Sequence, residues 1–238
     1  MSLETVDFDR FKLKPGERVL DLGCGEGRHS ITAYLNDDVD VVGLDLSLAD
    51  LGTATQRFEQ FKNQDLTRRS LNFVAGSGLH LPFADHTFHK VVCSEVLEHI
   101  HDYQQVLKEI HRVLMPGGQF AVSVPRFFPE WVCWSLSKAY HNQKGGHIRI
   151  FKARELKNAV CATPMAFQSS HWAHGLHSPY WWLRCLFWNQ GEVWLVRKYH
   201  QMLVWDLMQK PRFTLWLERL LNPLIGKSVV MYFKRHAP

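Results

Sequence analysis

The segment Val19-Leu20-Asp21-Leu22-Gly23-Cys24-Gly25-Glu26-Gly27-Arg28-His29 limits the folds open to this chain more than any other. Residues 19–22 have the apolar content of a short buried strand. Gly23, Gly25 and Gly27 follow as a tight turn, and residues 31–35 continue as a helix. Glycine at alternate positions lets the backbone turn sharply and lets a ligand come close to the main chain. A second apolar strand, Val41-Val42-Gly43-Leu44-Asp45, ends in an acid. A carboxylate placed there can accept hydrogen bonds from both hydroxyls of a ribose. A strand, a glycine turn and a helix, followed by a second strand with a terminal acid, predict an open α/β sheet with a ligand at its carboxyl edge.

The rest of the first half extends that pattern. Strands are expected at residues 18–22, 39–45, 72–75, 90–93 and 119–124. Between them, helices are expected at 48–61, with Ser47 as N-cap, and at 101–115. In the second of these, Val106, Leu107, Ile110, Val113 and Leu114 fall on one stripe at helical spacing, and Pro116-Gly117-Gly118 stops it. Alternation of strand and helix implies a parallel sheet covered on both faces. After Pro125, helices are expected at 127–140 and 153–160, a sixth strand at 166–172 and a seventh at 228–233. The roughly 50 residues from Gly175 to Gly226 exceed a hairpin connection and predict a helical insertion.

The chain's 238 residues allow one sizeable core. Five cysteines (24, 93, 133, 161, 185) lie scattered without paired spacing, and no signal peptide is evident. Reduced thiols and a cytoplasmic location are therefore expected. No uncharged apolar run approaches a membrane-spanning length. The two halves differ in charge: residues 1–129 carry a balance of −5 and residues 130–238 one of +10. All nine tryptophans lie in the second half. That half suits an anionic, aromatic or lipid-like partner, and its mixture of basic and tryptophan residues fits peripheral membrane contact. Nucleic acid is less expected, because no appended RNA-binding module accompanies the charge.

The motif series resembles the class I S-adenosylmethionine-dependent methyltransferases of the small-molecule type. Their loop pattern is Asp-x-Gly-x-Gly-x-Gly, matched at Asp21, Gly23, Gly25 and Gly27. The match continues through Leu81-Pro82-Phe83, Ser94-Glu95-Val96-Leu97-Glu98-His99 and Leu114-Met115-Pro116-Gly117-Gly118, in the family's order. Dehydrogenases favour a wider glycine spacing built around a pyrophosphate. The resemblance implies a Rossmann-like, doubly wound seven-stranded sheet, mostly parallel with its last strand antiparallel. It further implies a cofactor-binding core over residues 1–125. Residues 126–238 would form a substrate-side half, which carries the helical cap (about 175–226) and the final strand of the same sheet. The cofactor implied is S-adenosylmethionine, with S-adenosylhomocysteine as product.

Carried onto this chain, the resemblance assigns Gly23, Cys24 and Gly25 to the methionine portion through their backbone. Asp21 orients the loop or meets the amino group, Asp45 takes the ribose and Leu46 packs on adenine. Family members often read Gly-Asp-Ala before Leu-Pro-Phe. Here Gly76-Ser77-Gly78 stands there, so Ser77 keeps a hydrogen-bond acceptor without the charge, with Gly78 beside it. Ser94 and Glu95 fall near the sulfonium. Glu95 either faces that charge or is a helix N-terminal acid, and Glu98 is read as the latter. His99 is a candidate base whose alternative is packing or capping.

Gly146-His147-Ile148-Arg149-Ile150-Phe151 resembles a His-x-Arg-x-Phe element of small-molecule members. His147 is a candidate proton acceptor or a loop hydrogen-bonder. Arg149 is a candidate partner for an acceptor carboxylate or phosphate, or for a nearby acid. Tyr140 and Trp181 are candidates to line the acceptor pocket. His171, His174 and His177 follow a strand without an accompanying acid or cysteine cluster, so no metal site is expected. The reaction implied is methyl transfer to an oxygen, nitrogen or carbon of a small or lipid-like acceptor. RNA methylation and non-catalytic cofactor binding by an adaptor are the alternatives.

Overall fold

The computed structural model describes residues 4–61 and 69–237. One sheet runs in the order β3-β2-β1-β4-β5-β7-β6. Its strands are β1 (Arg18–Leu22), β2 (Asp40–Asp45), β3 (Ser70–Ala75), β4 (Phe88–Ser94), β5 (Leu114–Pro125), β6 (Met165–Ala173) and β7 (Ser228–Arg235). The first five pair in parallel; β7 runs antiparallel between β5 and β6. The seven expected strands are all present, and their order reverses beside β1, where β2 lies on one side and β4 on the other.

Alternation along each strand splits the core between the two faces. Leu20 and Leu22, Val91 and Cys93, Phe120 and Val122, and Met231 and Phe233 join one cluster. Their neighbours Val19, Val92, Ala121, Val230 and Tyr232 join the other. The first face is covered by α4 (Tyr103–Val113) and α7 (Ala153–Cys161). In α4 the buried stripe Val106, Leu107, Ile110 and Val113 follows helical spacing, and Asp102 caps its start by accepting the Gln105 N–H at 3.1 Å. The second face is covered by α1 (Phe8–Phe11), α2 (Arg28–Asn36) and α3 (Leu48–Glu59). The short α1 was not evident in the sequence. Asp7 caps it by accepting the Arg10 N–H, and the Tyr232 hydroxyl accepts the Asp7 N–H at 2.9 Å, tying it to β7.

Two boundaries differ from expectation. The α4 helix ends at Val113, and extended backbone begins at once with Leu114. Pro116-Gly117-Gly118 therefore lies inside β5, opposite a register shift between Phe88 and Lys90. Gly117 has φ +75° there, and an added Cβ on Gly118 would meet two backbone oxygens at 2.8 Å. The expected helix over 127–140 is divided into α5 (Phe127–Leu136) and α6 (Lys138–His141). Ser137 interrupts it: its backbone is extended, and its hydroxyl accepts the Tyr140 N–H as the N-cap of α6.

The segment between β6 and β7 forms α8 (His177–Leu186), α9 (Trp194–Gln209) and α10 (Arg212–Ile225). The first packs on α5: Trp182 Nε1–H donates to Pro129 O at 3.0 Å, and the Trp182 and Phe128 rings meet edge to face. The other two leave Trp194, Trp205, Met208, Phe213, Trp216 and Leu224 exposed. No helix among the described residues is long and apolar enough to cross a membrane.

Candidate active site

Because β1 to β5 are parallel, Leu22, Asp45, Ala75, Ser94 and Pro125 all end at one edge of the sheet, where open α/β sheets bind ligands. The glycine turn after β1 is held from β2. Gly23 and Cys24 N–H groups both donate to Leu44 O, at 2.7 and 3.1 Å, and Gly25 N–H donates to Asp45 Oδ2 at 2.8 Å. These donors are thus spent within the protein and are not turned toward a ligand. What the loop offers instead is space: an added Cβ on Gly25 would meet nothing within 4 Å. Asp45 accepts the Ser47 N–H on its other oxygen at 2.8 Å. Each carboxylate oxygen keeps acceptor capacity for a further donor. Leu46, next along, is 74% exposed, an apolar surface with nothing packed on it.

Below the loop, Asp21 is buried and accepts the Ser30 hydroxyl at 2.6 Å. Burial pushes its carboxyl up from 3.8 to about 6, against the lowering influence of Ser30 and Arg28. Ser77 follows β3, and its hydroxyl accepts the Leu79 N–H at 3.2 Å; Gly78 rests near Leu22 and Val106. Ser94 is buried at the end of β4, its hydroxyl 2.8 Å from that of Ser123. Ser123 also donates to Glu95, at 2.9 Å. Glu95 has φ +58°, a left-handed conformation uncommon for a residue with a side chain. Arg28, at the start of α2, faces Glu95 and Asp21. It went unnoticed in the sequence as an ordinary basic residue after a glycine turn.

A second group of polar side chains meets at the same edge. His147 Nδ1 lies 2.6 Å from Glu130 Oε1, which also accepts the Tyr140 hydroxyl at 3.0 Å. Glu130 is buried on α5. Burial raises its carboxyl, but the interactions with His147, Lys227 and the Tyr140 hydroxyl together outweigh that and leave it below the usual range. The His99 and His147 rings are 5.0 Å apart, and His99 Nδ1 contacts Gly146 O at 3.2 Å. Tyr140 packs against Trp181 and Trp188, and Lys227 Nζ sits 5.3 Å above the Trp181 ring. A cleft of about 180 Å³ opens between His99, Trp134, Tyr140 and His147.

Two further expectations need revision in detail, and one residue was overlooked. Arg149 is directed away from this cleft: its guanidinium covers the Tyr103 ring at 4.7 Å and donates to His101 O. Glu98 is the first-turn acid of a 3-10 turn (Leu97–His99), but it is fully buried and neither carboxylate oxygen has a hydrogen-bond partner. Burial, with Glu95 close by, holds its carboxyl well above the usual range. Glu130 was overlooked, although one acid inside the apolar run Phe127-Phe128-Pro129-Glu130-Trp131-Val132-Cys133 is the kind of signal that marks a buried, partnered group. A cavity of about 440 Å³ elsewhere, lined by Thr5, His171, His174 and Glu218 among others, contains no residue of the glycine turn.

A doubly wound sheet with a glycine turn and an acid-terminated second strand defines the class as Rossmann-like. Residues 13–185 match the model of a methyltransferase domain, and the chain belongs to that family, whose methyl donor is S-adenosylmethionine. Among curated proteins, the chain is 34% identical over 148 residues to a sterol 24-C-methyltransferase of Aspergillus fumigatus. That match covers 62% of the chain and 36% of the relative. It is 37% identical over 118 residues to a demethylmenaquinone methyltransferase of Renibacterium salmoninarum, covering 48% of the chain and 45% of the relative. The chain therefore spans less than half the length of these relatives.

Among solved structures, an S-adenosylmethionine-dependent methyltransferase of Methanosarcina mazei superposes with a TM-score of 0.62. It shares 14% identity, and the match covers 99% of this chain and all of that one. The [4+2]-cyclase SpnF superposes at 0.64 with 15% identity, covering 97% and 79%. At such identities the likeness shows the fold alone. The cyclase in that set shows that one fold serves more than one chemistry.

Proposed function

We propose that this chain transfers the methyl group of S-adenosylmethionine to an oxygen, nitrogen or carbon nucleophile of a small, lipid-like acceptor. The observation that carries this is the convergence of two groups at one sheet edge: the glycine turn with Asp45 and Leu46, and the cluster of Glu95, His99, Tyr140, His147 and Trp181. The first group fits the cofactor. Asp45 has acceptor capacity for ribose hydroxyls, Leu46 is an open platform for adenine, and the space over Gly25 admits the methionine tail. Asp21 stabilises the loop from below through Ser30, and Ser77 and Gly78 after β3 and Ser94 at the end of β4 flank it at the same sheet edge.

Bound there, S-adenosylmethionine supplies a methyl carbon on a positively charged sulfur. The chain's work is then to bind, orient, exclude water and manage one proton. Glu95, fixed by Ser123, places negative charge where the sulfonium sits. His147 has its Nδ1 fixed by Glu130, which leaves Nε2 as the nitrogen that takes a proton from the acceptor. Glu130 is a positioning residue in this scheme. Trp181, Tyr140 and Trp188 give the acceptor an apolar wall. The relatives named for a sterol and for demethylmenaquinone favour an acceptor of lipid character.

The exposed aromatic faces of α9 and α10, with Arg197, Lys198, Lys210 and Arg212 beside them, favour docking on an anionic membrane from which such an acceptor is taken. The test is calorimetry with S-adenosylmethionine and S-adenosylhomocysteine, followed by transfer of labelled methyl to quinols, phenols and amines. Micromolar binding of both with transfer to one of these classes is expected. Absence of cofactor binding overturns the proposal.

A further inference from the structure

Three side chains from distant parts of the sequence meet beside the cleft. Glu98 and His99 come from the turn after β4, and His147 from the loop before α7. One donor atom from each lies within 4.8 Å of the others. We propose that Glu98, His99 and His147 form a binding site for one divalent transition-metal cation of the zinc or cobalt type.

The hydrogen bonds around the trio point that way. A ligating histidine typically commits its other ring nitrogen to a carboxylate or a backbone carbonyl, which fixes the tautomer and aims the remaining lone pair. Both patterns occur here: His147 Nδ1 on Glu130 at 2.6 Å, and His99 Nδ1 on Gly146 O at 3.2 Å. In each ring Nε2 is the nitrogen outside that contact. His99 Nε2 is 4.0 Å from Glu98 Oε1, too far for a hydrogen bond. Metal–ligand distances of about 2.0–2.2 Å require donors roughly 3–4 Å apart, so the trio need close by only about 1 Å.

Glu98 supplies the independent observation. A fully buried carboxyl with both oxygens unpartnered is costly in any fold. A dication would satisfy those oxygens, with Glu98 giving up its proton on binding. Two imidazoles and one carboxylate select a transition metal over magnesium or calcium. Three protein ligands would leave at least one position free for a further ligand, and the cleft beside the trio is lined by Tyr140 and Trp134.

The site's role in the chemistry rests on the methyl transfer proposed above; the binding itself does not. Glu98, His99 and His147 would hold the cation, which would act as a Lewis acid lowering the pKa of an acceptor hydroxyl, and His147 Nε2 would then serve as a ligand in place of its role as base.

The test uses the full chain after treatment with EDTA, titrated with Zn²⁺ by calorimetry and with Co²⁺ by visible absorbance. One cation per chain is expected, with cobalt ligand-field bands. His147→Asn and His99→Asn should each weaken binding by more than about 100-fold, and Glu130→Gln by about 10–100-fold. S-adenosylhomocysteine affinity should stay unchanged in all three, which separates failure here from failure of the methyltransferase proposal. Glu98→Gln should abolish the bands; should that variant not fold, His99→Asn, at a partly exposed ring, decides. No stoichiometric binding, or equal affinity in His147→Asn and His99→Asn, overturns the proposal. So does loss in His177→Asn instead, because His174, His177 and Glu218 form the other such grouping among the described residues.

Discussion

Replacing Gly23 by alanine probes the joint between the two halves of the site. Gly23 has φ +72°, and an added Cβ would lie 2.3 Å from Val96 Cγ2 and 3.2 Å from its Cγ1. The left-handed backbone costs an ordinary residue about 1–2 kcal/mol. The overlap falls on a branched side chain next to the β4 turn, and relieving it costs about 1–3 kcal/mol. The loop cannot swing clear cheaply, because Gly23 N–H is bonded to Leu44 O at 2.7 Å. Gly23→Ala should therefore lose about 2–5 kcal/mol of stability in urea unfolding. Gly23 lies in the proposed cofactor turn itself, so cofactor affinity should fall as well, read by S-adenosylhomocysteine calorimetry. Adding Val96→Ala should recover the overlap part, about 1–3 kcal/mol of coupling in the double-mutant cycle, and leave the backbone part. A single-variant loss below about 0.5 kcal/mol, or no coupling, would refute the reasoning.

Asp45→Ala removes the acceptor for Gly25 and Ser47 N–H groups together with the proposed ribose contact. It should cost at least about 100-fold in S-adenosylmethionine affinity with a native circular dichroism spectrum, each charge-assisted bond being worth about 1.5–3 kcal/mol. Unchanged affinity would remove Asp45 from the site. Asp21 makes stability depend on pH. Its folded value of about 6 lies above the ordinary 3.8. The folded state therefore holds that proton more tightly, and stability from this group is greatest below pH 4 and declines as pH rises to about 6. At about 1.4 kcal/mol per tenfold change in acidity, the decline is on the order of 3 kcal/mol. Asp21→Asn should flatten that slope in unfolding measured from pH 4 to 7; an unchanged slope assigns it to other groups. Trp205→Ala with Trp216→Ala, both half or more exposed, should weaken sedimentation with anionic vesicles at least tenfold, about 1.4 kcal/mol or more. Removing the charges of Arg184, Arg197 and Lys198 should weaken the binding further and reduce its dependence on salt. A parent protein that ignores such vesicles leaves the insertion as a cap over the cleft.

Local patterns were readable in the sequence because they depend on neighbours a few residues apart. Short apolar runs marked the seven strands. Glycine spacing gave the turn after β1, and the length between β6 and β7 gave the insertion that became α8 to α10. Asp21, Asp45 and Ser94 fell at strand ends, whose place at one edge follows from parallel order alone. The histidine cluster was not readable in this way. His99 and His147 are 48 residues apart, and the apolar run around Glu130 signals a buried acid without naming His147 as its partner. Which nitrogen of His147 is free, that Arg149 turns onto Tyr103, and that Glu98 is buried without a partner all depend on how α5, α8 and the loop before α7 pack over the edge. Pairing and desolvation arise only when distant segments share a dielectric environment, so the sequence determined the scaffold and its cofactor corner, and the tertiary packing decided the chemistry of the acceptor side.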